Sequence, residues 1–416
     1  MNKSVTTGVI TTSLAEDIFF LVDVQLNVLQ DFLQEAGILN SDSGEDVIED
    51  GLLAIFRCIW AEQTRHRYTF LTSFDLCCAT ANDFFRMMTK IEDLMTILEQ
   101  KYPFLEWNAL EGDTKTEVIR REAHDLATLF VGDAVYAAQS AHLFVMRSVR
   151  ESTVDKELFS RDWEDRYTHN EVIIAMIRVF EEYNNDLQNF LCNEYLYHKV
   201  VVALVRGTVC YYVQTLLKKA SYVRNKSSRK LAHKFKSEEQ RRRELPLECP
   251  ARALCRMMYD IRILQDYFQK ISKDSTPLTR VVANEMNILT VIHEFLGLAV
   301  GHTGLDSLEE FIVVLHKRTG ADWDVTRHFL SDLWSLSNPH ESHEQKRISV
   351  TMALLKAELD MVTERMKENA KKPMPKSKKE GKEIPPKIEE MLRDFYDDRI
   401  WQEKISGCGG MLKQPC

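Results

Sequence analysis

The chain has 416 residues, of which 44% are hydrophobic and 28% charged, with a net charge of −9. That apolar content supports a buried core, so the chain is not disordered overall. The acidic balance excludes a nucleic-acid-binding role for the surface as a whole. Glycine (15) and proline (10) are scarce, and no proline lies between Pro103 and Pro246. A β-sandwich or a Rossmann array needs Gly/Pro punctuation and is excluded for the middle of the chain, which reads as mostly helix. The nine cysteines (Cys58, Cys77, Cys78, Cys192, Cys210, Cys249, Cys255, Cys408, Cys416) form no C-x-x-C pair and sit mainly in apolar stretches. Free thiols in a reducing, cytoplasmic compartment fit that usage. Glu16 and Asp17 interrupt the apolar run that an export signal would keep continuous. Position 413 is Lys, so the C-terminus carries no prenylation motif.

In chain order, Ile18, Val22, Leu26, Leu29 and Leu33 step by three and four and mark an amphipathic helix. Gly37 and the cluster Asn40–Gly44 end it, and a second helix runs from about Asp46 to Gln63. Phe74, Cys77, Ala81, Phe84, Met88, Ile91, Met95 and Leu98 form a seam of more than three heptads, closing at Tyr102–Pro103. A bundle helix suits its mixed residues better than a dimerising zipper. From Thr114 to Val149 a long helix aligns Leu126, Phe130, Ala134, Ala137, Ala141 and Phe144, the alanines allowing close approach. Further helices are expected at Val172–Leu191, Tyr195–Lys219, Ala251–Ile271, Leu278–Val300, Leu308–Thr319, Val325–Ser337 and Arg347–Lys367. The fold expected is all-α, an elongated stack of antiparallel helical bundles.

Val200–Leu217 is the one stretch to weigh as a membrane span. It is at the short end of the roughly 17–25 residues needed, and a central Arg206 costs about 2.5–3.5 kcal/mol in a bilayer. A buried bundle helix is the expectation, with Arg206 reaching a carboxylate or the bundle edge.

Two segments stand out by charge. Residues 218–243 carry Lys218, Lys219, Arg224, Lys226, Arg229, Lys230, Lys234, Lys236, Arg241, Arg242 and Arg243 against Glu238 and Glu239, a local +9. A solvated face is the plainer reading. The functional one is electrostatic contact with anionic lipid or an acidic partner, at about 1 kcal/mol per basic residue near a bilayer. Residues 368–387 are Lys/Pro-rich with almost no apolar content, which predicts a disordered linker. Beyond it Ile388, Leu392, Phe395, Tyr396 and Ile400 recur at helical spacing, a short amphipathic helix that serves as a docking motif or as a strap on the body. The domain reading is 1–154, an N-terminal bundle; 155–367, further bundles with the basic insertion 218–243; the linker 368–387; and the helix and tail 388–416.

Catalytic chemistry is hard to find. His124–Asp125 matches the start of a metal phosphohydrolase pattern, but no second pair completes it. His293–Glu294 opens a zinc-protease motif, yet position 297 is Gly where the second ligand belongs. His340 and His343 lie in a Pro-preceded turn. No phosphate-cradling Gly loop and no G-x-S-x-G elbow occur. No catalytic, cofactor or metal residue is assigned, and an enzyme is not expected.

Several blocks carry a resemblance. They are Leu158–Ser160 with Asp162–Trp163, Val179–Tyr183, His198–Val202, Tyr211–Lys219, Ala253–Lys270 and Leu308–Trp334. In this order they resemble the C-terminal half of the exocyst complex component 3 family, over roughly residues 155–360. Two features depart from the family: the basic run Asn225–Arg243 looks like an insertion, and the N-terminal coiled-coil region is not seen. The resemblance implies a helical rod of a complex that holds secretory vesicles at the plasma membrane before SNARE-mediated fusion. Its implied partners are other exocyst subunits and SNARE-class fusion proteins; the basic segment adds an expected peripheral contact with anionic membrane, and neither nucleic acid nor a small-molecule substrate is expected. Its implied location is cytoplasmic, peripheral at the plasma membrane and secretory vesicles. The alternative is a membrane-binding rod of the same superfamily working outside the exocyst.

Overall fold

The computed structural model describes residues 2–3, 8–38, 41–66, 70–105, 107, 114–152, 154–160, 163–164, 171–224 and 249–298. The chain divides into two compact units, Met1–Ile348 and Ser349–Cys416, and every described residue lies in the first. The expected helices at Leu308–Thr319, Val325–Ser337 and Arg347–Lys367, the linker 368–387 and the terminal helix fall outside the described residues.

The described residues are all-α, apart from a minimal antiparallel ribbon of β1 (Asn2–Lys3) and β2 (Ile10–Thr11). The helices are α1 (Leu14–Glu35), α2 (Asp42–His66), α3 (Phe74–Lys101), α4 (Lys115–Glu151), the single turn α5 (Val154–Glu157), α6 (Glu171–Phe190), α7 (Glu194–Arg224), α8 (Pro250–Ser272) and α9 (Thr276–Leu298).

Local chemistry sets their ends. Helix α1 stops in a Schellman motif: Gly37 N–H donates to Gln34 O and Ile38 N–H to Leu33 O, both at 3.1 Å. The motif needs a left-handed residue, and Gly37 sits at φ +68°. Helix α2 begins at Asp42, four residues ahead of the sequence expectation. Ser41 Oγ caps it by accepting from Gly44 N–H at 3.2 Å, so the Asn40–Gly44 cluster starts the second helix as well as separating it from the first. Ser73 caps α3 through Leu76 N–H (3.2 Å), and Thr114 caps α4 through Glu117 N–H (3.3 Å).

Helices α3 and α4 form the centre. They run antiparallel: Arg120 meets Glu99, Phe130 stacks near Phe84, and Tyr136 meets Phe70. The buried stripe of α3 is Phe74, Cys77, Ala81, Phe84, Met87, Ile91, Leu94 and Leu98. Met88 and Met95, expected on the seam, are only half-buried. A two-strand zipper would hold a strict 3.5-residue repeat. Here β2, α1, α4 and α6 all touch α3, which widens its buried face to include Cys78, Ala79, Asn82 and Asp83. The partner of α3 is therefore a helix of its own chain. On α4 the aligned Leu126, Phe130, Ala134, Ala137 and Ala141 are buried as expected, and Val145 takes the core position in place of a half-buried Phe144.

Helix α7 crosses α4 with the two helices running in the same direction, His142 lying beside Gly207 and Arg150 beside Tyr211. The crossing is tight at Gly207, where a Cβ would stand 3.0 Å from His142 Cδ2 and 3.2 Å from Met146 Cγ. Both α4 and α7 are long and apolar enough to cross a membrane, so Val200–Leu217 does not stand alone in this respect; in each, 56% of that apolar stretch is buried within the body. Arg206 of α7 donates from Nε to Glu285 Oε1 of α9 at 3.1 Å, the carboxylate of the two outcomes expected for it. Helices α8 and α9 pair antiparallel, from Thr279 Oγ1 on Ser272 O to His293 Nε2 on Leu254 O.

Candidate interaction surface

Two buried polar pins hold the stack together. Asn82 of α3 donates from Nδ2 to Ile10 O and Phe190 O, both at 2.7 Å, and accepts from Cys192 N–H at 2.9 Å. One side chain thus satisfies backbone groups of β2, the end of α6 and the α6–α7 turn. Next to it Asp83 accepts from Thr12 N–H (2.9 Å) and contacts Thr12 Oγ1. Burial pushes the Asp83 carboxyl up to about 6, against the lowering effect of the Thr12 bonds.

The second pin joins the segment after α5 to α7 and α8. Asp260 Oδ2 accepts from Trp163 Nε1 at 2.9 Å and from the Tyr212 hydroxyl at 3.1 Å. Oδ1 lies 4.0 Å from Arg256 Nε. Burial pushes Asp260 up to about 7, opposed by its hydrogen bonds and by Arg256. Phe159 fills the same junction, edge-on to Trp163 (4.9 Å) and to Tyr212 (5.0 Å), from a left-handed backbone at φ +59°. Such a conformation costs a non-glycine residue of order 1 kcal/mol or more. Here the buried ring offsets it. Glu164, next to Trp163, accepts from Cys249 N–H at 2.6 Å and sets a carboxylate at the start of α8.

Asn82, Glu164 and one oxygen each of Asp83 and Asp260 are thus held by neighbouring backbone and ring groups, while Oδ1 of Asp83 and of Asp260 is buried without a hydrogen-bond partner. Cys77 is pushed up to about 12 by burial and Cys78 well above its ordinary value, so neither presents a thiolate. Among the described residues no group of three or more His, Cys, Asp or Glu could hold a metal ion. His124 and Asp125 are exposed on α4. His293 is tied to Leu254 O on α8, and Glu294 next to it is exposed. His340 and His343 lie outside the described residues.

The surface is more telling. Helices α1 and α2 leave an apolar groove of about 620 Å³ between them, lined among others by Leu21, Val28, Phe32, Ala54, Cys58 and Glu62. Leu21, Val28 and Phe32 are 57–59% exposed. A smaller cleft of about 310 Å³ lies between the α6–α7 and α8–α9 turns, with Tyr197, His198 and Asp274 on its wall. The sequence reading stopped at the inner stripe of α1 and missed the groove. Its signal was present, because α1 carries apolar residues on a second face at positions 20, 21, 24, 28 and 32.

Of the basic residues singled out, Lys218 is exposed near the end of α7. Lys219 is 5% exposed and turned into the body. Arg224 is the last residue of α7. Lys226, Arg229, Lys230, Lys234, Lys236, Arg241, Arg242 and Arg243 lie outside the described residues.

No protein-family profile matches the chain, and no curated protein does. The architecture is nonetheless of a known kind, an all-α helical domain. The chain is similar in structure to the C-terminal domain of the exocyst subunit Sec6p, with a TM-score of 0.55 over 92% of this chain and 88% of that one. Sequence identity is 13%, so what the two share is the fold.

Proposed function

We propose that the chain is a subunit of an exocyst-type complex, tethering secretory vesicles to the plasma membrane before SNARE-mediated fusion through protein–protein contacts. The observation that carries this is the fold likeness to an exocyst subunit domain along nearly the whole of both chains. A packed helical stack whose buried carboxylates Asp83 and Asp260 hydrogen-bond neighbouring segments, with a broad apolar groove beside it, suits a scaffold that presents surfaces. On this reading the chain is cytoplasmic and peripheral at the plasma membrane and vesicles, and its partners are other exocyst subunits and SNARE-class proteins. The test is depletion in native cells while labelled secretory vesicles are imaged at the plasma membrane. Shortened vesicle residence before fusion is expected; unchanged residence and secretion would contradict it.

The Lys/Arg cluster at 218–243 supports a second reading, a rod held directly on anionic membrane outside the exocyst. Flotation with vesicles rich in phosphatidylserine should then bind the chain at low salt and release it at high salt. No binding at low salt removes that reading.

A further inference from the structure

We propose that the α1–α2 groove is the docking site for a basic amphipathic helix of a partner protein. The inference rests on the groove and its charge, and it does not depend on the exocyst-type reading.

Helix α1 is apolar over a wide face. Leu26 and Leu33 point into the body, Ile18 and Val22 form the inner wall of the groove, and Leu21, Val28 and Phe32 stand exposed along the adjoining edge. An apolar face this wide is ordinarily covered across its whole width. The outer residues, with Gln25, step by four, three and four, so they run parallel to the helix axis. From Leu21 to Phe32 the stripe is about 16 Å long, roughly three turns of a guest helix. Opposite them α2 contributes the small side chains Ala54 and Cys58, which allow a guest backbone to come close. This is the geometry of helix-in-groove recognition, in which apolar anchors at i, i+3, i+4 and i+7 enter the cleft.

Charge decides the partner. Helix α1 has no basic residue, and between positions 14 and 62 the sole Lys or Arg is Arg57, which faces Glu122 of α4 at 3.3 Å. Asp17, Asp31 and Glu35 are exposed along α1, and Glu62 lines the groove on α2. An anionic bilayer would be repelled by that rim. A helix with Lys or Arg flanking its apolar stripe meets it with complementary charge, gaining association rate and register. The chain's own basic segment 218–243 is a poor match, since from Asn225 to Arg243 its apolar side chains are only Leu231, Ala232 and Phe235, too few for a stripe of three turns.

The test uses the full chain and three fluorescent 18-residue peptides read by anisotropy. One places Leu at i, i+3, i+4 and i+7 with Lys and Arg elsewhere. The second has the same composition scrambled, so the stripe is lost. The third replaces the Lys and Arg by Glu. Binding of the first, at least tenfold tighter than of either control, is expected. Val28→Ser with Phe32→Ser should weaken it tenfold or more, and Asp31→Asn with Glu35→Gln should weaken it and flatten its salt dependence. Ile97→Ser, at an exposed apolar position on α3, should change nothing. Circular dichroism melts check that each variant is folded. Equal binding of the scrambled peptide would mean charge attraction alone and overturn the proposal. So would a dimer of this chain, detected by light scattering, that the Val28/Phe32 variant dissociates, because the occupant would then be a second copy.

Discussion

Asn82 concentrates more structure in one side chain than any other polar residue described. Its three hydrogen bonds reach positions 72, 108 and 110 residues away in sequence. Asn82→Ala leaves the buried Ile10 carbonyl and the partly buried Phe190 carbonyl and Cys192 N–H without that partner, and a buried group left so costs about 1–3 kcal/mol. A loss of about 3 kcal/mol in chemical denaturation is expected; a loss below about 1 would mean that the ribbon and the α6–α7 turn stand without it. Asp260 governs a pH dependence. Its carboxyl is pushed up to about 7 in the fold, from an ordinary 3.8, so between those values the folded chain holds the proton that the unfolded chain has released. Stability from this group is therefore fully present below about pH 4 and lost as pH rises toward 7. Asp83, pushed up to about 6, acts in the same direction. His142 opposes both: burial lowers its pKa below the ordinary 6.5, so its contribution is lost as pH falls below that value. Asp260→Asn cannot titrate, and its melting temperature should fall less than that of the parent chain between pH 5 and pH 8. Parallel curves for the two proteins would contradict the burial of that charge.

At the scale of elements, two helix crossings are open to test. Gly207 and Gly132 are both interior helix residues, and Ala is worth up to about 1 kcal/mol over Gly in a helix. At Gly132 nothing lies within 4 Å of a new Cβ, so Gly132→Ala should stabilise by about that much. At Gly207 the Cβ meets a buried His142 ring bonded through Nδ1 to Gln139 O, so Gly207→Ala should destabilise by about 1–3 kcal/mol. Thermal melts that move both variants the same way would refute the tight α4–α7 crossing. Arg206 and Glu285 link α7 to α9 with side chains 31% and 11% exposed. Arg206→Leu should cost about 1–2 kcal/mol, discounted for the solvent at the arginine end, and Arg206→Leu with Glu285→Leu should recover most of it. Among the described residues, helix positions were legible in the sequence because apolar spacing and capping residues are local signals. Met88 and Met95 were misplaced on α3 because several neighbours share that helix, and a periodicity of one helix does not show how many surround it. The Ser41 cap was overlooked for a related reason, since Ser, Asp and Gly mark helix starts as well as breaks.

For the whole molecule, three of the blocks that carry the exocyst resemblance contribute Trp163, Tyr212 and Asp260, and these meet at one buried junction. Residues scattered over about a hundred positions were readable as a pattern, while their contact required the fold. The α1–α2 groove was harder to find, because an exposed stripe and a core stripe look alike until one is seen to be left uncovered. The basic residues at 218–243 remain an electrostatic proposal, with Lys219 already committed to the body. The proposal that the chain works through partners rests on its fold likeness to an exocyst subunit domain and on the apolar groove. The most direct measurement is affinity purification of the tagged full chain from its native cells, followed by mass spectrometry of what accompanies it. Other exocyst subunits should co-purify. A soluble, folded chain that brings none of them down would contradict membership of a tethering complex.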